Sequence, residues 1–432
     1  MKISDRRSFL KMSVMAGALP IDGLFQQAHA KELQTATHAV SHLDSREVAQ
    51  HEEYWGVIQR GFSVSPLILN LHNGISPSPI VVQEAVARYN QLTNEGPNYF
   101  MWEILDQGRE PLRAKLAHLA GTSPEEIAIN RNTTDGLHAI IFGLPLKAGD
   151  EVVGCSYDYW HVMQAYRQRQ EREGIVYKQV SFDFPVEDID AIVKTYQKAM
   201  TPKTKLVHIT HVMNSMGQIM PVRQIADMAH AHGAEVVVDG AQSFGLLDFK
   251  ITDLHCEYFA TSLHKFLCAP VGTGMLWVSR DKIEQVWPLL GADKPHSPDI
   301  RKFEVLGTRS FALEQGVGHA IKFHESIGGR RKQERLFYLK TYWSNRVRDI
   351  KGVKLHTSNK PEFSCANGSI SMEQYTPVDL ADALFQRYKI HSKVEIHDGL
   401  QCVRITPNVY TTIADLDRFV KAVGELASTR NS

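Results

Sequence analysis

The 432-residue chain has little cysteine, no surplus of either charge and, past its first thirty residues, no long apolar run. Its five cysteines, Cys155, Cys256, Cys268, Cys365 and Cys402, are an odd number with no CxxC pair. That spacing signals neither a zinc site nor a disulfide framework. Most of the five sit in apolar runs, where cysteine behaves as a small buried hydrophobe, and no structural disulfide is expected. The 48 basic residues match the 48 acidic ones, so nothing draws the chain onto nucleic acid. Beyond residue 30 no stretch approaches the ~20 apolar residues of a membrane span, and there is no internal repeat or low-complexity linker. What is present, 43% hydrophobic and 22% charged residues, suits a soluble protein of two domains with substantial cores.

The N-terminus carries an address. Asp5-Arg6-Arg7-Ser8-Phe9-Leu10-Lys11 is a twin-arginine export motif, followed by a modestly apolar stretch from Met12 to Phe25 and by Ala28-His29-Ala30, which suits signal peptidase. Residues 1–30 are therefore expected to be a signal peptide cut after Ala30. The expected partner during export is the twin-arginine translocase, and the expected destination is the bacterial periplasm. That route carries folded proteins, often with a cofactor already inserted. Losing the segment removes Lys2, Arg6, Arg7 and Lys11 but only Asp5 and Asp22, which leaves the mature chain slightly acidic.

Strand-like runs at Glu126–Asn130, Glu151–Cys155, Ile175–Phe182, Lys205–Thr210 and Glu235–Asp239 alternate with helical stretches such as Val222–His232, which stops at Gly233. This pattern predicts an α/β fold, a mostly parallel sheet with helices on both faces. Met275–Val278 is a further strand; the preceding Gly272-Thr273-Gly274 does not join a strand to a helix, so it is no dinucleotide fingerprint. From Glu314 one long helical run is expected to reach Val347, with its basic segment Gly329–Arg335 solvating a helix face. Short strands near Ser369–Met372, Lys393–Ile396 and Cys402–Ile405, with helices Pro377–Arg387 and Ile413–Leu426, then predict a smaller α+β domain. The expected division is an N-terminal segment, 31–84, packing with the small domain; a large domain, 85–312; and a small C-terminal domain, 313–432.

Chemistry concentrates at strand ends. Glu235–Asp239 ends in a carboxylate followed by Gly240-Ala241-Gln242, and 26 residues beyond Asp239 comes Lys265, closing Thr261-Ser262-Leu263-His264-Lys265. A lysine that can form a Schiff base, preceded by a strand-end aspartate that can hold a pyridinium proton, is what pyridoxal 5'-phosphate (PLP) requires. Either residue alone reads more readily as a solvated lysine or a helix cap; the pair is far more specific. Asn132, Tyr159, Asn214 and Asp239 all fall at or just after C-terminal strand ends, where ligands of open α/β sheets bind. Near Asn132, the run Asn130–Gly136 presents hydroxyls and free N–H groups at a helix start, suited to a phosphate.

The Asp239-x-x-Gln242 and Ser262-x-His264-Lys265 motifs resemble those of the class V aminotransferase family, fold type I PLP enzymes that include cysteine desulfurases and isopenicillin-N-epimerase-like proteins. The resemblance runs from about residue 68 to the C-terminus. It implies a fold type I architecture, with a large domain built on a mostly parallel seven-stranded sheet. It places PLP against Asn132, Thr133, Gln242, Ser262 and His264, with the Tyr159 ring stacked on the pyridine and Asn214 meeting the cofactor or substrate side. Phe303–Thr308 is similar to the family loop whose glycine and threonine, here Gly307 and Thr308, reach the cofactor phosphate of a neighbouring subunit, which implies a homodimer with shared sites. Arg404 corresponds to the arginine that clamps the α-carboxylate, and Asn73, in Leu69–Ser76, to the Asn-Gly turn at the substrate mouth.

Cysteine desulfurases carry a nucleophilic cysteine on a mobile loop before that arginine, and Tyr388–Gly399 has none. Cys402 lies on a strand, which cannot swing as such a loop must. The chain therefore resembles the isopenicillin-N-epimerase-like branch, whose members include aminotransferases, racemising enzymes and C–S lyases. The expected activity is transamination or a related Cα–H reaction on a free amino acid or an amino-acid residue of an exported metabolite. A siderophore precursor is one such metabolite, and an exported branch member that tailors the acyl glutamate of pyoverdine offers an analogue. β- or γ-elimination and epimerisation are the alternatives within the family; a non-catalytic binding protein that kept the fold would have no need of Lys265.

Overall fold

A computed structural model describes residues 24–397 and 399–428; the twin-arginine motif lies outside the described residues. The central sheet has seven strands: β1 (Ile127–Asn130), β2 (Glu151–Cys155), β3 (Val176–Val180), β4 (Thr204–Thr210), β5 (Glu235–Asp239), β6 (Tyr258–Ser262) and β7 (Gly274–Val278). Their order is β1-β7-β6-β5-β4-β2-β3. Strands β2 to β6 pair in parallel, and β7 runs antiparallel to both β1 and β6. This is the expected α/β class. β5 shows why the sequence folds so. Its Glu-Val-Val-Val-Asp run is apolar without alternation because both faces are covered: Val236 and Val238 join one core cluster with Ile209 and Phe259, while Val237 joins the opposite one with Ile140 and Leu276.

Five strands deliver the residues of interest to one edge of this sheet. Asp239 ends β5 in register with Thr210 of β4 on one side and Ala260 of β6 on the other. The large-domain helices used below are α1 (Ile80–Glu95), α2 (Thr133–Gly143) and α3 (Trp160–Glu173).

The C-terminal region adds a four-stranded antiparallel sheet of β8 (Val353–Leu355), β9 (Gly368–Met372), β10 (Lys393–His397) and β11 (Leu400–Ile405), ordered β10-β11-β9-β8. Its core takes in Trp343, Ile405, Phe419 and Leu426 together with Leu33, Val48 and Trp55 from the N-terminal segment. Leu69–Asn70 pairs in parallel with Ile390–His391, bringing the chain near residue 70 to the same region.

Two expectations are corrected here. The single long helix is two, α4 (Phe311–Ile327) and α5 (Gly329–Val347), broken at Gly328, whose φ of +91° is open to glycine and strained for other residues. α4 starts earlier than Glu314 because Ser310 caps it, accepting from Leu313 N. It also bridges the two regions: Val317, Ala320 and Ile321 enter the large-domain core, and Phe323 and Ile327 the C-terminal one. The basic segment of α5 does not simply face water. Arg335 is fully buried, donating to Ala49 O at 2.8 Å and Glu52 Oε2 at 3.0 Å with its guanidinium 5.2 Å from the Trp55 ring centre. Lys332, also buried, donates to Phe266 O beside the Lys265 loop. The N-terminal segment and that loop cover two sides of α5, so its cations bond carbonyls and a carboxylate where charge alone suggests water.

Candidate active site

Asp239 is buried, with Oδ1 accepting from Ala241 N at 2.8 Å. Burial lifts its carboxyl above the ordinary range, and the positive charge of Lys265 only partly opposes this. Lys265 lies three residues past β6 and is half-buried. Burial lowers its amine to about 8; the Asp239 charge pulls the other way, and Arg404 pushes it further down. Strands from the large domain and β11 from the small one thus bring a nucleophilic amine, a buried acid and a guanidinium into one electrostatic neighbourhood.

On the β1–β6 side, Thr133 opens α2, and both its N–H (2.9 Å) and its Oγ1 (2.7 Å) meet Ser262 Oγ. Asn132 caps α2, its Oδ1 accepting from Asp135 N at 2.9 Å, so its amide oxygen is used by the helix. His264 is buried, with Nδ1 3.1 Å from Thr273 O. Gln242 is buried and its Oε1 has no protein partner. An orphaned buried amide oxygen costs on the order of 1–3 kcal/mol unless something meets it, and a group bound between Asp239 and Thr133–Ser262 could. The residues present fit PLP: a carboxyl for the ring nitrogen, an amide for a polar ring substituent, and a helix start with hydroxyls for the phosphate.

The opposite wall is made by the turn 72–76 and by β11. Ser76 N donates to His264 O (3.0 Å) and Thr406 N to Leu71 O (2.7 Å), while Asn408 Nδ2 reaches Ser76 Oγ at 2.7 Å. These bonds knit the turn, the lysine loop and the arginine strand together. Arg404 is buried; Nη1 donates to Asn214 O at 3.0 Å and lies 3.2 Å from Glu395 Oε1, and Nε has no partner. A Cβ on Gly74 would stand 3.2 Å from Arg404 Nη2, so glycine keeps that edge of the guanidinium clear.

Most of the residues singled out from sequence converge here. Tyr159, at the start of α3, is 43% exposed; burial, then the charges of Asp239 and Glu395, raise its hydroxyl, which places it at the site mouth. Asn214 reaches Arg404 through its backbone oxygen. Gly307 and Thr308 stand apart on an exposed loop, Gly307 with φ +66°. That loop is anchored by Glu304, which is buried against Arg113 (Nη2–Oε2 3.0 Å), Arg109 (3.1 Å) and Ile129 N (2.6 Å). Asn73 is a correction. It is buried with Nδ2 donating to Thr406 O and Oδ1 accepting from Tyr410 OH. Both ends of its amide are held by protein, so it fixes the β11 side of the mouth and is not free for substrate.

Sequence reading missed Glu395, Ser215 and His397. Ser215 Oγ lies 2.7 Å from His397 Nε2 and 3.4 Å from Glu395 Oε2. The signal was available: Asp398-Gly399 between two strand-like runs marks a hairpin, and pairing β10 with β11 sets Glu395 near Arg404. Asp158 was passed over too. It is fully buried, accepting from Cys155 N and Thr210 Oγ1, both at 2.7 Å, and burial, with the Asp239 charge, lifts its carboxyl to about 7. Among the described residues no cluster of histidine, cysteine and carboxylate side chains could hold a metal, and no helix is long and apolar enough to cross a membrane.

Comparison with known proteins bears out the fold. Residues 70–422 match the model of the aminotransferase class-V family. An isopenicillin N epimerase of Amycolatopsis lactamdurans is 27% identical over 395 residues, covering 86% of this chain and 98% of the relative. A probable cysteine desulfurase of Halalkalibacterium halodurans is 28% identical over 348 residues, 76% and 83% of the two chains. Among solved structures, a cysteine desulfurase from Thermococcus onnurineus superposes with a TM-score of 0.75 at 22% identity, over 86% of this chain and 97% of the other. The cystine C–S lyase C-DES, in complex with cysteine persulfide, gives 0.76 at 21%, over 83% and 98%.

Proposed function

The chain belongs to the aminotransferase class-V family of PLP-dependent enzymes, and on that premise we propose that it breaks the Cα–H bond of an amino acid, or of an amino-acid residue in an exported metabolite, as an aminotransferase. One observation carries the reading: the Lys265 amine feels the charges of both Asp239 and Arg404, and three residues past Asp239 the buried Gln242 oxygen lacks a protein partner. When bound, PLP supplies an electron-poor ring that accepts the electron pair released at Cα. Asp239 would hold the proton on the ring nitrogen, the positive charge of that nitrogen offsetting the burial that otherwise lifts the carboxyl. Thr133, Ser262 and His264 would hold the phosphate end, Gln242 the ring substituent, and Tyr159 would cover the open face. Lys265 would tether the cofactor, and its amine, lowered to about 8 by burial, is suited to carry the Cα proton. Arg404 holds the substrate carboxylate and so fixes which Cα bond is aligned for cleavage.

The mature enzyme works in the periplasm after twin-arginine export, a reading supported by residues 5–11 and 28–30. It works as a homodimer, a reading supported by the exposed Gly307–Thr308 loop and by exposed apolar residues such as Trp102, Leu289 and Val305. A siderophore precursor such as a pyoverdine acyl glutamate is an exported metabolite of the right chemistry. Epimerisation is the second reading, favoured by the relative that aligns over 98% of its length. Persulfide transfer is disfavoured by the chain itself: all five cysteines are buried, and burial pushes the Cys402 thiol up to about 12.

A screen of amino donors with holoprotein decides among these. Keto acid released beyond one equivalent per active site only when an acceptor keto acid is added marks transamination, solvent deuterium at Cα with inversion marks epimerisation, and sulfide without an acceptor marks a C–S lyase. Holoprotein in which borohydride fixes no PLP on Lys265 would overturn the reading altogether.

A further inference from the structure

Glu395 has no part in the chemistry above, yet it sits buried against the residue that is to receive the substrate. In the β10–β11 hairpin Lys393 pairs with Arg404 and Glu395 with Cys402, so Glu395 lies diagonally from Arg404 on the same face. Its Oε1 is 3.2 Å from Arg404 Nη1. Its Oε2 is 3.4 Å from Ser215 Oγ and 3.5 Å from His397 Nε2. Burial works against ionisation, but His397, Arg404 and Lys393 outweigh it and hold the carboxyl below its usual range. Arg404 Nη1 is thus turned into the protein, hydrogen-bonded to Asn214 O and ion-paired with Glu395, whose Oε1 accepts no hydrogen bond. The Nε–Nη2 edge is left for a ligand, with Nε unpartnered and Nη2 beside Gly74. One carboxylate fits that edge side-on. With Glu395 already present, it brings two anions to one guanidinium in a place where water and salt screen poorly.

We propose that Glu395 restricts the Arg404 clamp to substrates with a single carboxylate, so that donors carrying an amide or another uncharged group beyond Cβ are accepted and their dicarboxylic isosteres rejected. The inference rests on the reading of Arg404 as the carboxylate clamp. It makes Glu395 a specificity-determining residue that acts through charge, without touching the reacting bond.

The test uses pairs of equal shape that differ by one charge. Glutarate and its monoamide are titrated calorimetrically into the protein with and without PLP, and L-glutamate and L-glutamine are compared as donors by keto-acid release. Wild type is expected to favour the amide by on the order of tenfold or more, and Glu395→Gln to bring the ratio close to one, chiefly by improving the dicarboxylate. A ratio that E395Q leaves unchanged overturns the proposal. So does a wild-type protein that binds the dicarboxylate as well as the amide, or that binds neither, and this arm holds even if E395Q folds poorly. Failure of the PLP reading looks different: borohydride would fix no cofactor on Lys265, while the calorimetric preference without PLP would persist.

Discussion

The lowered amine of Lys265 gives a prediction with two opposite arms. At pH 7 an ordinary lysine of pKa near 10.4 is neutral in only about 0.04% of molecules, whereas one titrating at about 8 is neutral in about 9%, a gain on the order of 200-fold. Since the neutral amine is the nucleophile, its reactivity should rise about tenfold per pH unit up to about 8 and flatten above. Trace acetylation of the apoprotein between pH 6.5 and 10.5, read residue by residue by peptide mass spectrometry with exposed lysines such as Lys198 as references, measures this directly. Partial burial scales the labelling amplitude and leaves the midpoint where the pKa puts it. Asp239 raises this pKa and Arg404 lowers it. Asp239→Asn should therefore move the midpoint below the wild-type value, and Arg404→Met should move it above. A wild-type midpoint near 10, or two variants that shift the same way, would refute the electrostatic coupling of the three residues.

Other outcomes follow from particular contacts. Glu304→Ala removes one of the two carboxylates that pair with the buried Arg113, leaving Glu110, and removes the acceptor of Ile129 N; urea denaturation should show a loss of about 1–3 kcal/mol. Asp158 titrates near 7 in the fold and near 3.8 when unfolded, so the stability it lends is present below the unfolded value and is lost as pH rises through the folded one. Asp158→Asn should escape this loss, gaining on wild type by on the order of 2–3 kcal/mol between pH 5 and pH 8 in paired denaturation curves. Arg404→Lys keeps the charge but loses the two-pronged edge, and steady-state kinetics should show the amino donor's KM rising by on the order of tenfold or more.

The large sheet was legible in sequence because its strands are buried on both faces. Runs such as Glu151–Cys155 and Glu235–Asp239 then announce themselves without a periodicity argument, and their observed limits equal those expected. Asp239 was legible for a related reason, since it ends such a run at a sheet edge where ligands bind; Lys265 was legible through its pairing with Asp239 and its motif, while the strand before it, Tyr258–Ser262, was not singled out. What escaped depends on contacts between distant segments. The burial of Arg335 is decided by Trp55 and Ala49, nearly three hundred residues away, and no local pattern in α5 separates it from the exposed Arg330. Asn73 looked free for the same reason, since Thr406 and Tyr410, which hold its amide, lie more than three hundred residues on.

Glu395 belongs to this second class, and it changes the meaning of Arg404. Read alone, a strand arginine facing a pocket is an attractor for any anion. Paired across a hairpin with a buried carboxylate, it becomes part of a net-neutral pair whose remaining edge takes one carboxylate. Sequence could name the clamp because its residue type and position suffice. Its selectivity is a property of the pair, and the pair exists only once β10 and β11 have folded into register.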